Sequence, residues 1–382
     1  MATVTALTNG QIFTGDKIVN QHALLIEAGC VVDLVPESAL PKVHNGYDLG
    51  GGLLAPGFID VHVNGGAGEL LNHQPNAKSL QTIAQAHRQY GTTAFLPTLI
   101  TDTWVQMVNA VAAVRAAVEV GVPGILGIHL EGPYLNEERK GVHPPTRIRV
   151  PTSYEDLSSL FEPFPDHLIK LMTLAPEQVN PDFIHRLTAD GMIVSAGHTA
   201  ASYEQMQEAL AKGVRGFTHL FNAMTPMTSR EPGVVGAALD HDDSWCGLIV
   251  DGHHVHPVTL RQAIKAKARG KMMLVTDAMH TVGEGAGRFD LMGRPIVSKN
   301  GKVTTLDGTL AGSDLDMASA VRNTVYKVGL ELEEALRMAS LYPAQFLKLD
   351  RQMGKIAPGY QADLVLLDEH LMVQNTWIKG EF

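Results

Sequence analysis

The sequence predicts an α/β protein built around a (β/α)8 barrel, and two observations support that prediction. Eight short apolar runs recur along the chain, and amphipathic stretches that end at glycine separate several of them. Strands of parallel sheets are buried on both faces, and eight that alternate with helices close into a barrel. A doubly wound sheet is the alternative, but "NGGAGE" after the first run lacks the spacing of a phosphate-binding glycine fingerprint.

Each of the eight runs is rich in Val, Ile and Leu and is bounded by turn residues, as is typical of a strand. In chain order they are FIDVHV from Phe58, TAFLPT from Thr93, ILGIHL from Ile125, LIKLMTL from Leu168, MIVSAG from Met192, VRGFTHL from Val214, CGLIVD from Cys246 and MMLVTD from Met272. Helical periodicity is clearest in AKSLQTIAQAHRQYG, SYEQMQEALAKG and HPVTLRQAIKAKARG. The link after the sixth run is irregular, with no obvious long helix before about Pro232.

The two chain ends predict short strands and turns without helical periodicity. Two loose extensions are one interpretation. We favour a small β-sandwich domain built from both ends, because each end alone has too few strands to bury a face. The predicted boundaries are 1–55 with 354–382 for the small domain and 56–353 for the barrel.

Composition excludes several classes of protein. The net charge of −10, with Lys and Arg spread thinly, argues against a nucleic-acid partner. No apolar run reaches the roughly 18 residues of a membrane-spanning helix, and the N-terminus lacks the blocks of a signal peptide. Cys30 and Cys246 are the only cysteines, too few for a disulfide scaffold. We therefore expect a cytoplasmic protein without a membrane partner.

Five of the eight predicted strands end in residues of the types that bind metals or move protons. In a (β/α)8 barrel these positions meet at one rim, where chemistry takes place. A single histidine at such a position is more often a hydrogen-bonded core or rim residue, but coincidence explains five strands less well. The residues are His62 and Asn64, His129 and Glu131, His198, His219, and Asp277.

Glu131, His198 and His219 form a coherent set of metal ligands. Two neutral imidazoles and one carboxylate suit a divalent cation with an open position for water. We expect one such ion per chain, with zinc as the default and iron or cobalt also accepted. The ion would lower the pKa of water toward about 7, and Asp277 could move the released proton. This set predicts amide or ester hydrolysis, whereas Asp277 alone could simply cap a helix.

The first strand offers His62 but has Asn64 where a second histidine would complete a metal-binding pair. A neutral amide oxygen is a poor ligand for zinc or iron. We therefore predict that a second metal position, at His62 and Asn64, is empty or weakly filled. Asn64 would then hold a water molecule or an outer hydrogen bond.

Several motifs together resemble the N-acetylglucosamine-6-phosphate deacetylase family of the amidohydrolase superfamily. The motifs keep the order of the family over nearly the whole chain. The combination of HLEGP, HLFNAM and VTDA is highly specific to this family, whereas GKIAPGYQADLVLLD is a weaker indication because many amidohydrolases share it. The resemblance implies a homodimeric, metal-dependent hydrolase of a linear amide. Its reaction in amino-sugar catabolism converts N-acetyl-D-glucosamine 6-phosphate to D-glucosamine 6-phosphate and acetate. The other motifs are APGFIDVHVNG, KGVHPP, VSAGHT, REPG, VDGHHV and LAGS.

The resemblance also implies roles for individual residues. The three proposed ligands match the family's metal ligands, and Asp277 matches its catalytic aspartate. His143 and His254 match substrate-contacting histidines, either of which could polarise the acetamide carbonyl and stabilise the oxyanion. The residues that match phosphate or sugar contacts are Asn136, Asn222, Ala223, Arg230 and Leu310. Arginine suits phosphate because its planar fork can bind two oxygens.

Three other functions stay open at this stage. An amidohydrolase of cyclic amides, such as an imidase or dihydroorotase, is one; the fourth strand ends with Glu177 and no lysine to carry a carbamylated bridge. A phosphosugar isomerase or aldolase would give no reason for the three metal ligands. A regulator that binds sugar phosphate without catalysis would give no reason for Asp277 beside them.

Overall fold

The computed structural model describes residues 4–41, 45–151, 168–285 and 287–382. Its largest sheet has eight strands, and neighbours in the chain are neighbours in the sheet. The last and first strands also meet, because Val63 forms a parallel bridge with Ala278 and the Asp277 N–H donates to the His62 carbonyl at 3.0 Å. The sheet therefore closes, and the predicted (β/α)8 barrel is confirmed.

The eight barrel strands, numbered one to eight in chain order, coincide with the eight predicted runs. Their bounds are Phe58–Val63, Thr92–Ile100, Ile128–Glu131, Ile169–Leu174, Ile193–Ala196, Val214–Phe217, Trp245–Leu248 and Met272–Leu274. Nearly every residue in them is buried. Burial on both faces explains why these runs are continuously apolar and do not alternate.

Helices follow most of the barrel strands. Their bounds are Ala77–Arg88 (α1), Trp104–Glu119 (α2), Pro181–Ala189 (α3), Tyr203–Ala211 (α4), Gly233–Asp240 (α5), Pro257–Ala266 (α6), Met317–Asn323 (α7), Leu332–Ala339 (α8) and Leu341–Phe346 (α9), with a π-helical turn at Thr324–Val328. The three predicted helical stretches correspond to α1, α4 and α6. Among the described helices, none is long and apolar enough to cross a membrane.

The chain ends form two sheets. The first has the strand order Cys30–Pro36, His22–Glu27, Thr5–Thr8, Asn45–Asp48, and the second Val373–Trp377, Leu364–Leu367, Leu53–Pro56, Gln11–Phe13, Ile18–Asn20. Leu364–Leu367 pairs antiparallel with Leu53–Pro56, so strands from both ends share one sheet. Leu24, Leu54 and Trp377 lie in one apolar core. A small β domain made from both chain ends is therefore confirmed.

The chain separates into two compact units. The first contains Met1–Asp60, His87–Ala94 and Asp316–Phe382, and the second contains Val61–Ala86 and Phe95–Leu315. Helices α7 to α9 thus belong to the first unit with the strands of the chain ends. The predicted domain boundaries stay a prediction. All the polar residues predicted at the barrel rim lie in the second unit.

A three-stranded antiparallel meander follows barrel strand eight, and it was not predicted. Its strands are Gly287–Leu291, Arg294–Lys299 and Lys302–Thr305. Leu291 and Ile296 pack in one apolar cluster with Leu70, Ile100 and Met279. The meander therefore packs against the carboxyl ends of barrel strands two and eight and against the short hairpin Gly65–Gly66 with Glu69–Leu70, which follows strand one.

Candidate active site

A cavity of about 300 Å³ opens at the carboxyl ends of the barrel strands. The predicted site residues that line it are Asn64, Glu131, His143, His198, His219, Asn222, Ala223, His254, Asp277 and Leu310. His62 is buried directly behind this surface, within 3.2 Å of Glu131. Arg230 lies in an exposed turn and is not among the lining residues.

Glu131 is the centre of the site. Its Oε1 lies 3.1 Å from His198 Nε2 and 3.0 Å from His219 Nε2, and these two nitrogens are 3.1 Å apart. Its Oε2 lies 3.2 Å from His62 Nε2 and 3.8 Å from His143 Nε2. One buried carboxylate is thus surrounded by four imidazoles from different parts of the rim.

The contacts of His198 show why these residues fit a cation. His198 Nδ1 lies 2.8 Å from the Arg139 carbonyl oxygen, so it carries the hydrogen and leaves a lone pair on Nε2 of the neutral ring. That lone pair faces a Glu131 oxygen, which also only accepts. Two acceptors about 3 Å apart are favourable when a cation lies between them, and ligand atoms of one metal have about this spacing. Glu131, His198 and His219 can therefore hold a metal ion.

His143 is also close enough to complete a metal group with Glu131 and His198. Its Nδ1, however, accepts the Thr101 N–H at 3.3 Å and lies 2.9 Å from the Thr101 hydroxyl. The hydrogen of the neutral ring is then on Nε2, which faces the cavity as a donor and has no lone pair for a metal. We therefore favour His219 over His143 as the third ligand.

Burial and neighbouring charges set the protonation of these groups. Burial lowers the pKa of His219 and lowers that of His143 well below its usual value, so both rings are neutral at about pH 7. Burial alone would raise the pKa of Glu131, but the charge of His62, with the neighbouring imidazoles, holds it well below the usual range. An ionised carboxylate with neutral imidazoles is what metal binding requires.

Two residues at the end of barrel strand one contact the Asp277 carboxylate. Its Oδ1 accepts the Asn64 amide N–H at 2.6 Å and lies 3.1 Å from His62 Nε2. Since His62 Nε2 lies between oxygens of Asp277 and Glu131, which both accept, it carries a hydrogen. Asn64 thus donates to Asp277, and its own Oδ1 is buried without a hydrogen-bond partner among the described residues.

Several rim residues have a left-handed backbone conformation, which is uncommon outside glycine. The φ angles are 50° at His198, 35° at His219, 52° at Ala223 and 53° at Asp277. Each such residue costs on the order of 1–3 kcal/mol and persists only where surrounding contacts enforce it. The strain is located at the ends of barrel strands five, six and eight, where it directs side chains into the cavity.

Asp251, which sequence reasoning missed, controls His254. His254 Nδ1 lies 2.6 Å from Asp251 Oδ2, and this carboxylate also accepts the N–H groups of His253 and His254. The ring therefore carries its hydrogen on Nδ1 and presents Nε2 as an acceptor. The only signal in the sequence was a carboxylate three residues before a histidine in "DGHHV".

Glu177, at the end of strand four, has a bracing role. Its carboxylate accepts from Asn136 Nδ2 at 2.9 Å, from the Thr199 hydroxyl at 2.5 Å and from the Ala200 N–H at 2.6 Å. It thereby fixes the chain immediately after His198. Asn136, expected near the sugar, is not among the cavity-lining residues and uses its amide for this contact.

Two other predicted rim residues bond within the protein. Asn222 lines the cavity, but its Nδ2 donates to the His219 carbonyl at 3.0 Å and so braces the turn after strand six. His129 is fully buried below the rim, with Nδ1 3.1 Å from Thr98 Oγ1 and Nε2 2.8 Å from Thr173 Oγ1.

Comparison with known proteins identifies the family of the chain. The model of the Amidohydrolase family matches residues 53–382, and that of the NagA composite domain matches residues 5–54. The chain belongs to the amidohydrolase family. The resemblance predicted from the motifs is therefore confirmed.

The similarity to known deacetylases extends over nearly the whole chain. An N-acetylgalactosamine-6-phosphate deacetylase from Shewanella is 46% identical over 97% of this chain and 94% of its own. The crystal structure of N-acetylglucosamine-6-phosphate deacetylase from Pasteurella multocida superimposes with a TM-score of 0.95, at 35% identity over 99% of both chains. A mutant of the Mycobacterium smegmatis enzyme in complex with N-acetyl-D-glucosamine-6-phosphate has a TM-score of 0.90, at 29% identity over 100% of this chain and 98% of its own.

Replacing Asp251 by asparagine should reduce kcat/KM for amide hydrolysis about 10- to 100-fold, because His254 loses the partner that fixes its ring. The double variant Asp251→Asn/His254→Asn should be no worse than His254→Asn, since Asp251 acts through His254. Steady-state kinetics and metal analysis of the variants provide the check. His253→Asn, at the exposed neighbouring residue, is the control. Additive losses would show that Asp251 has a separate structural role.

Proposed function

We propose that this chain hydrolyses the acetamide of an N-acetyl-D-hexosamine 6-phosphate, releasing the amino sugar 6-phosphate and acetate in amino-sugar catabolism. N-acetyl-D-glucosamine 6-phosphate is the substrate implied by the motifs. The observation that supports this best is the convergence in one cavity of three side chains that can hold a metal, the Asp277 carboxylate, and two histidines whose Nδ1 atoms have different partners. One relative is named for N-acetylgalactosamine 6-phosphate and another for N-acetylglucosamine 6-phosphate, so the activity assay should include both sugar phosphates.

The proposed metal is one divalent cation held by Glu131, His198 and His219. Zinc is the default for one carboxylate and two imidazoles, and iron or cobalt would also accept this set. When bound, such an ion polarises the carbonyl and lowers the pKa of water. We propose that no second ion is tightly held, because His62 and Asn64 direct hydrogens toward the carboxylates.

The protein's own groups then divide the proton transfers. Asp277 takes a proton from the attacking water and returns it to the amide nitrogen as the carbon–nitrogen bond breaks. His143 donates its Nε2–H to the acetamide oxygen and stabilises the developing negative charge. His254 presents an acceptor nitrogen suited to a sugar hydroxyl. The different ring tautomers thus favour His143 as the histidine that polarises the carbonyl.

We further propose that the turn with Asn222 and Ala223 binds the phosphate together with Arg230, and that Leu310 lines the sugar pocket. Because Arg230 is exposed and outside the cavity lining, contact requires movement of its turn or a second copy of the chain. The proposed homodimer could supply that copy. Cys30 and Cys246 are both free, which supports the proposed reducing cytoplasm.

No observation favours a hydrolase of cyclic amides instead. In the register of the barrel, Thr173 of strand four is the neighbour of Glu131, where a carbamylated lysine would bridge two metals. Glu177, farther along, is occupied with the chain after His198.

Acetate release from purified protein tests the function. With metal present, we expect acetate from N-acetyl-D-glucosamine 6-phosphate or its galacto epimer. Unphosphorylated N-acetyl-D-glucosamine should be at least about 10-fold poorer in kcat/KM, since it lacks charged hydrogen bonds worth about 1.5–3 kcal/mol each. A chelator should abolish turnover, and added metal should restore it. Cleavage of dihydroorotate or hydantoin without acetate release from either sugar phosphate would refute the proposal.

Asp277→Asn should lower kcat by about 10²–10⁴-fold or more while metal content and substrate binding are kept, because the amide cannot take the proton from water. Turnover, metal analysis and calorimetric titration of substrate separate these quantities. Near-normal turnover, or loss of the metal, would rule out the proton-transfer role.

Asn64→His should add a lone-pair donor at strand one and so raise the metal content of the chain, which we expect to be close to one ion before substitution. Metal per chain after gentle dialysis, set against activity, measures this. Asn64→Gln, which keeps the amide, is the control and should hold no additional metal. Two tightly bound ions in the unmodified protein, with activity proportional to the second, would contradict the single-ion proposal.

A further inference from the structure

One wall of the cavity is apolar and has no part in the proposed chemistry. This apolar wall consists of Leu70, Ile100, Val142, Met279 and Leu291. All five belong to or pack against one hydrophobic cluster. A hexosamine phosphate is otherwise covered with hydroxyl, amide and phosphate groups, so the methyl of its acetyl group is the part that gains most from apolar surface.

The apolar wall lies beside the groups proposed to act on the carbonyl. Ile100 is the register neighbour of Glu131 on the adjacent barrel strand. Val142 immediately precedes His143, and Met279 follows Asp277 by two residues. An acyl carbon placed between His143 and Asp277 would therefore have its substituent within reach of this wall.

Apart from Leu310, which follows the meander, the proposed sugar and phosphate contacts that line the cavity lie on other loops. Asn222 and Ala223 follow barrel strand six, and His254 follows strand seven. The apolar wall comes from the end of strand two, from the segments that follow strands one, three and eight, and from the meander. A substrate whose phosphate lies near the loops after strands six and seven, and whose carbonyl lies at Glu131, would direct its acyl group toward the apolar wall.

The wall is held in a fixed position. Asn72 donates from Nδ2 to the Ile100 carbonyl at 3.0 Å, and its Oδ1 accepts the Ile100 N–H at 3.2 Å. Asp102 accepts from Asn72 at 3.0 Å and from Arg147 at 2.6 Å. Thr101, the first residue after strand two, bonds to His143. The wall and the carbonyl-binding histidine are thus linked through one strand end.

We infer that the apolar wall binds the methyl of the acyl group and restricts the enzyme to short acyl chains. This inference rests on the proposed function. Leu291 is the most testable specificity-determining residue, because it lies on the meander and not on a barrel strand. Discrimination of one methylene in an apolar pocket amounts to about 10- to 200-fold.

The experiment compares N-formyl, N-acetyl, N-propionyl and N-butyryl D-glucosamine 6-phosphate by release of the free amine. The unmodified enzyme should prefer N-acetyl over N-butyryl by at least about 100-fold in kcat/KM. Leu291→Ala should raise the butyryl-to-acetyl ratio about 10-fold or more. Leu291→Phe should do the opposite, keeping the N-formyl substrate while the N-acetyl substrate loses about 10-fold.

Ile296→Ala is the matched control, because it removes the same number of carbons from the same cluster but does not line the cavity. An unchanged acyl profile in both Leu291 variants, or an equal shift in Ile296→Ala, would overturn the inference. If Leu291→Ala fails to fold, the Leu291→Phe profile decides. Failure of the unmodified protein to deacylate any of these sugars would instead refute the proposed function.

Discussion

The buried negative charge of Glu131 is the constraint on which the rest of the rim depends. A buried carboxylate is costly unless surrounding groups compensate it. N–H groups of His62 and His143 face its Oε2, and the proposed metal would compensate Oε1, which faces the nitrogens of His198 and His219. Other contacts fix the histidines that approach Glu131: the Arg139 carbonyl binds His198, and the Thr101 N–H binds His143. The left-handed backbone at His198 and His219 is the local cost of bringing both nitrogens to the same oxygen.

The histidines at the cavity are suited to different roles because their Nδ1 atoms have different hydrogen-bond partners. A backbone carbonyl at His198 and a carboxylate at His254 accept a hydrogen bond from Nδ1–H, which leaves a lone pair on Nε2. The Thr101 N–H donates to Nδ1 of His143 and places the hydrogen on Nε2. Ligand, acceptor and donor are thus distinguished by groups one layer away from the cavity.

The barrel and most of the rim could be predicted because both depend on local patterns. Continuous apolar runs indicate buried parallel strands, and the residue at each strand end indicates the rim. The roles of the carboxylates Asp251 and Glu177 could not be predicted from the sequence, since each role depends on which loop the carboxylate contacts in the folded chain. The meander had a signal in the sequence, because the pair Asn300–Gly301 is typical of a tight hairpin between strands. In the structure, both residues of this turn and both of Met292–Gly293 have positive φ. Arg230 shows the limit of motif matching, because a matched residue can lie outside the cavity of its own chain.

Strand one shows how a single amide changes what a site can bind. A pair of imidazoles there could offer lone pairs, which attract a cation. In this chain His62 Nε2 lies between oxygens of Glu131 and Asp277, and Asn64 donates to the same Asp277 oxygen. His62 and Asn64 must each donate a hydrogen in these contacts. Their N–H groups therefore compensate the negative charges of the two carboxylates at a place where a second cation would otherwise do so. On the proposal of a single metal position, Asp277 would thereby stay an oriented base and would not become a ligand between two ions.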